Sequence, residues 1–127
     1  MNAVVEYLSA LEADLKTGVA GEHAYRGALK TLVETLWPSL TATNEPKRTA
    51  IGAPDFVVSD PNGIPVGHIE AKDLDKDLDD KLYAKQFGRY LHALDNVVIT
   101  DYLIFRLYRS GKLVMETRIG RTENGKN

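Results

Sequence analysis

The spacing of apolar residues changes character at Trp37-Pro38, and that change limits what the chain can fold into. Before it, Val4, Leu8, Leu11 and Leu15, then Tyr25, Leu29, Leu32, Val33 and Leu36, recur at the three- and four-residue intervals of amphipathic helices. A first helix is predicted over Ala3 to Leu15, closed by Thr17-Gly18, and a second from about Glu22. The second stops at Trp37-Pro38 because proline cannot continue a helix and restricts the residue before it. Beyond that point short apolar runs are separated by turn residues. Phe56 to Ser59 and Val66 to Lys72, joined through Asp60-Pro61-Asn62-Gly63, read as a hairpin. Helical period returns with Leu82, Tyr83, Phe87, Tyr90, Leu91 and Leu94, giving a third helix over roughly Asp79 to Leu94. Val97 to Ile99, Leu103 to Tyr108 and Leu113 to Arg118 look like strands, the last two joined at Ser110-Gly111. The expected class is α/β (α+β), a mixed β-sheet flanked by helices in the order αα-ββ-α-ββ, with the first two helices on one face.

Composition excludes several functions. There is no cysteine among the 127 residues, which removes disulfides, thiolate zinc sites and a cysteine nucleophile. No apolar run approaches the ~18 residues of a membrane span, so the expectation is a soluble, cytoplasmic protein without a membrane partner. Sixteen basic against 18 acidic residues leave a net charge of −2, wrong for holding nucleic acid by bulk charge, so any such role must rest on local patches. The acids cluster at Asp73, Asp75, Asp77, Asp79 and Asp80. An EF-hand reading fails there, because the sixth place from Asp73 is Leu78 instead of Gly and the twelfth is Ala84 instead of Glu. His23, His68 and His92 lack metal-ligand spacing, and no Ser-His-Asp order, phosphate-cradling glycine loop or dinucleotide fingerprint is present. Residues 1–120 read as one domain, and the polar tail 121–127 as a linker to further domains outside this chain.

The sharpest local feature is Gly52-Ala53-Pro54-Asp55-Phe56 followed by Ile69-Glu70-Ala71-Lys72. Side chains alternate across a strand, so Glu70 and Lys72 emerge on one face and Ile69 and Ala71 on the other, while the hairpin brings Asp55 alongside. Two carboxylates and an ammonium converge. Metal-assisted phosphodiester hydrolysis needs that grouping: hard oxygen ligands for Mg²⁺, and a cation beside the attacking water or the phosphate. The bland alternative makes Asp55 a turn residue and Glu70 with Lys72 a solvated pair.

Asp55, Glu70 and Lys72 together resemble the motif of the PD-(D/E)xK nuclease superfamily. Gln86-Phe87-Gly88-Arg89-Tyr90 is similar to the Gln-x-x-x-Tyr element of its RecB-like branch. The run from Glu22-His23-Ala24-Tyr25-Arg26 through Thr43-Asn44-Glu45-Pro46-Lys47-Arg48 to Thr100-Asp101-Tyr102 looks like the amino-terminal nuclease domain of type ISP single-polypeptide restriction-modification enzymes. The resemblance implies a Mg²⁺-dependent DNA endonuclease, with Mn²⁺ able to substitute and double-stranded DNA as partner. Asp55, Glu70 and the Ala71 carbonyl would bind the metal, with Glu22 as an additional acid. Lys72 would act on water and phosphate, and Gln86 and Tyr90 would position the DNA strand. It also implies a translocase, a methyltransferase and a target-recognition domain downstream. A catalytically inactive nucleic-acid or protein-docking module on the same fold is the alternative.

Overall fold

The computed structural model describes residues 2–16, 22–44, 53–74 and 76–121, with backbone only at 22–24. The side chain of Glu22, the 45–48 part of the resembling run, Gly52, Asp75 and residues 122–127 therefore lie outside the described residues. Two helices, α1 (Ala3–Lys16) and α2 (Glu22–Leu36), precede strands β1 (Thr41–Asn44), β2 (Phe56–Ser59) and β3 (Pro65–Ala71). Helix α3 (Lys81–Ala93) then leads into β4 (Asn96–Thr100), β5 (Ile104–Arg109) and β6 (Lys112–Arg118). The six strands form one sheet in sequence order. Among the described residues only the β3–β4 pairing is parallel, with α3 as its crossover, so the sheet is mixed.

The expected α+β class holds, but the expected strand order is corrected to αα-βββ-α-βββ. Val97 to Ile99 lies within a full strand, β4, and β1 is an addition. Thr41–Asn44 carries no apolar alternation, and of its residues only Ala42 is buried. Helix α2 supplies what the sequence of β1 lacks. Glu34 accepts from the Ala42 amide at 2.9 Å and Lys30 donates to the Ala42 carbonyl at 2.6 Å, so helix side chains satisfy the edge backbone.

Helices pack on both sheet faces, leaving β6 largely exposed. Tyr7, Leu11, Tyr25, Leu29 and Leu32 of the helical pair pack on Ala42, Phe56, Val58, Ile69 and Ala71. On the opposite face, Leu78 and Phe87 pack with Val97 and Ile99, joined by Tyr83, Leu91 and Tyr108. The period-two alternation of β3 and β4 decides which residues face which layer.

The turns follow their residues. Asp60 accepts from the amides of Asn62 and Ile64, and Gly63 takes φ +80° in the β2–β3 turn. Ser110 (φ +51°) and Gly111 (φ +80°) form the two left-handed positions that the short β5–β6 hairpin requires. Asp80 caps α3 by accepting from Leu82 N at 2.9 Å, which is why that helix starts at Lys81 instead of Asp79. Asp73 and Asp77 likewise bond the amides of Leu74 and Asp79. Asp79 pairs with Arg106 through two bonds of 2.8 and 3.1 Å. Asp73, Asp77, Asp79 and Asp80 are thus spent on local capping and pairing.

The β4–β5 connection is held in an uncommon conformation. Tyr102 has φ +76°, a left-handed value that costs about 1–3 kcal/mol for a non-glycine residue unless its surroundings enforce it. Here Thr100 Oγ1 accepts from Tyr102 N, Asp101 accepts from the amides of Leu103 and Ile104, and the Tyr7 hydroxyl donates to the Tyr102 carbonyl at 2.7 Å. Burial pushes the Tyr7 hydroxyl far above the ordinary tyrosine range, so it remains a donor at any working pH. Tyr7→Phe should therefore leave a buried carbonyl without its donor and lower unfolding free energy by about 1–2 kcal/mol. Urea denaturation with unchanged far-ultraviolet circular dichroism checks it, and an unchanged midpoint would contradict it.

Candidate active site

Three elements deliver the predicted residues to one end of the sheet. Asp55 immediately precedes β2, and the Phe56–Ile69 register sets it beside Glu70 on β3. Lys72 follows β3, its amide donating to Thr100 O at 2.8 Å and so continuing the parallel pairing. Because Ile69 and Ala71 go into the α1–α2 core, Glu70 and Lys72 face the α3 layer, where Gln86 waits.

The polar groups form a continuous chain. Asp55 Oδ2 accepts from Ala71 N at 2.8 Å, and Asp55 N donates to Glu70 Oε1 at 3.2 Å. Glu70 Oε2 meets Lys72 Nζ at 3.0 Å, and Lys72 Nζ donates to Gln86 Oε1 at 2.8 Å. The ammonium also lies 4.8 Å from the ring centre of Tyr83 and 5.7 Å from that of Phe87, within cation–π range. A solvated surface pair does not describe this arrangement: the side chain of Glu70 is 5% exposed and that of Lys72 17%. On the other side Arg26 of α2 donates from Nη2 to Asp55 Oδ1 at 2.9 Å. Sequence patterning does not single out Arg26, Tyr83 or Phe87 as site residues. For the aromatic pair the only sequence signal is the helical period, which reads as core.

One expectation needs adjustment. Tyr90 is fully buried and its hydroxyl donates to Ala53 O at 3.2 Å, so it holds the segment leading to Asp55 and is not placed to touch a DNA strand. Ala71 is fully buried too, and its amide serves Asp55. Glu22 opens α2, one turn before Arg26, with its side chain outside the described residues. An apolar cavity of about 430 Å³ opens on the α1–α2 side among Leu29, Leu36, Trp37, Val66 and Met115, and none of Asp55, Glu70, Lys72 or Gln86 lines it.

Burial first, and then the Asp55 carboxylate, push the Glu70 carboxyl up to about 6, against the opposing pull of Lys72. Two carboxylates this close and this poorly solvated favour a proton or a cation between them. The donors are all hard oxygens, and among the described residues no group of three His, Asp or Glu side chains gathers. Two carboxylates with the Ala71 carbonyl suit Mg²⁺, which usually keeps several waters and uses one or two protein carboxylates.

No protein-family model matches the chain, and no curated protein matches it. Among solved structures, a chain in the cryo-EM structure of a DrdV–DNA complex is similar, with a TM-score of 0.76 and 24% identity over 93% of this chain and 86% of that one. The fold is restriction-endonuclease-like. At that identity the likeness establishes shared architecture.

A raised carboxyl binds its proton more tightly folded than unfolded. Glu70 therefore favours folding as pH falls from about 6 toward its ordinary 4.5, and that contribution is lost as pH rises through about 6. In the metal-free protein the Glu70 side-chain carboxyl carbon should titrate near pH 6 by NMR, and Asp55→Asn should lower that midpoint. A wild-type midpoint at the ordinary value would contradict the packing described.

Proposed function

We propose that the chain is a Mg²⁺-dependent DNA endonuclease domain of the PD-(D/E)xK kind, hydrolysing phosphodiester bonds. The observation that carries the reading is the chain Asp55–Glu70–Lys72–Gln86, assembled from three elements at one end of the sheet and largely withdrawn from water. Poorly solvated charged groups cost stability even when paired, and such clusters concentrate at functional sites. The shared architecture with a chain of a DNA complex supports nucleic acid as the partner.

In this reading Asp55 and Glu70, with the Ala71 carbonyl, hold the metal. A bound Mg²⁺ supplies Lewis-acid polarisation of the phosphate and a more acidic water. Lys72 contributes a fixed cation where negative charge develops on the phosphate, and its ammonium can orient the attacking water. Gln86 accepts from Lys72, and with the Tyr83 and Phe87 rings confines the ammonium to one place. Tyr90 positions the Ala53 segment and, through it, Asp55. In this reading residues 1–120 form the nuclease unit. Among the described residues no helix is long and apolar enough to cross a membrane.

Plasmid cleavage by the 127-residue chain with Mg²⁺ or Mn²⁺ tests the reading. Lys72→Ala should lower the rate by about 10²–10³ while melting at a similar temperature, the loss typical of one electrostatic stabiliser. Lys72→Arg should rescue poorly, because the forked guanidinium cannot occupy the ammonium's place between Glu70, Gln86 and the rings. Wild-type cutting by folded Lys72→Ala would remove the catalytic reading and leave a docking module.

A further inference from the structure

Among the described residues, two carboxylates and two cations meet at the site. Asp55 and Glu70 contribute two negative charges, and Arg26 and Lys72 two positive ones, with each carboxylate in contact with one cation. A divalent ion bound by Asp55 and Glu70 would compete with these cations for the same carboxylate oxygens. Lys72 is the wrong one to move. It is held by Glu70, by Gln86 and over two aromatic rings, contacts that would all be lost together.

Arg26 is differently placed. Its Nη2 sits 2.9 Å from Asp55 Oδ1, while Ala71 N donates to the other oxygen, Oδ2. Its Nη1 reaches Asn44 Oδ1 at 3.4 Å on the exposed rim. The guanidinium thus comes from the α2 side to the Asp55 oxygen that a metal would need, with polar surface beside it to receive it. Asp55 does not depend on Arg26 for its orientation, because the Ala71 amide and its own amide's bond to Glu70 hold it in place.

We propose that Arg26 is a built-in counter-ion that occupies the cation position of Asp55 in the metal-free protein and is displaced by Mg²⁺, so that it sets the metal concentration at which the site fills. The proposal rests on the metal-site reading of Asp55 and Glu70. Arg26 is a positioning residue in the sense that it acts through Asp55. It keeps a poorly solvated carboxylate charged and in place while no metal is bound, and its removal should help the metal instead of harming it. A purely structural ion pair makes the opposite prediction.

The experiment is isothermal titration calorimetry of the purified chain with Mg²⁺, comparing wild type, Arg26→Gln, Arg26→Lys and Asp55→Asn, with thermal melts of each. Arg26→Gln should bind Mg²⁺ about five- to tenfold more tightly, the scale of one partly screened ion pair removed from the metal-free state. Arg26→Lys should stay near wild type. In wild type, NMR of the Arg26 side-chain nitrogens should show the guanidinium resonances shifting as Mg²⁺ is added, a readout that does not depend on any variant folding. Equal or weaker binding by folded Arg26→Gln, or Arg26 resonances unmoved at saturating Mg²⁺, overturns the assignment of Arg26 alone. A wild type that takes up no Mg²⁺, or Asp55→Asn that takes it up undiminished, overturns the metal site and the proposal with it.

Discussion

A carboxylate buried to 5% side-chain exposure beside a second carboxylate is the constraint on which the rest of this structure turns. Glu70 could not be kept there by hydrophobic packing, since an unpaired buried charge either neutralises or drives the structure open. The surroundings answer that cost from both layers. Helix α2 brings Arg26 to Asp55, and α3 brings Gln86, Tyr83 and Phe87 around Lys72. The helices therefore do more than cover the sheet, because each one ends a line of polar contacts that begins at Glu70.

The sheet makes this possible through the parallel β3–β4 pairing. With β3 and β4 running the same way, Lys72 can continue the ladder onto Thr100 while α3 crosses back over the Glu70 face. The left-handed Tyr102 then turns the chain immediately after that ladder and is pinned from α1 by Tyr7. Core packing and site geometry share residues here, so a change in one is felt in the other.

Much of this was legible in the residues. Alternation along Ile69-Glu70-Ala71-Lys72 placed the charged pair on one face, and the turn residues at 60–63 placed Asp55 next to it. Helical period located α3 with Gln86 and Tyr90 on a common side. What stayed hidden has physical reasons. β1 is a strand because Glu34 and Lys30 bond its backbone and Ala42 fills a gap in the core, neither of which leaves a pattern in Thr-Ala-Thr-Asn. Tyr83 and Phe87 look like ordinary core aromatics, and only the position of Lys72 makes their faces electrostatic partners. Arg26 stands a helical turn from Glu22, in a stretch read for its acid, and its contact with Asp55 crosses 29 residues of sequence. The buried state of Tyr90 is likewise a property of packing, which a residue spacing does not carry.

The central claim is that Asp55 and Glu70 form a divalent-cation site. Crystals of the chain grown or soaked with Mn²⁺ test it most directly, because manganese scatters anomalously and takes the same oxygen ligands as magnesium. The account predicts an anomalous peak at direct coordination distance, about 2–2.3 Å, from carboxylate oxygens of both residues. A peak bound elsewhere, or none at Asp55 and Glu70 under saturating Mn²⁺, would contradict it.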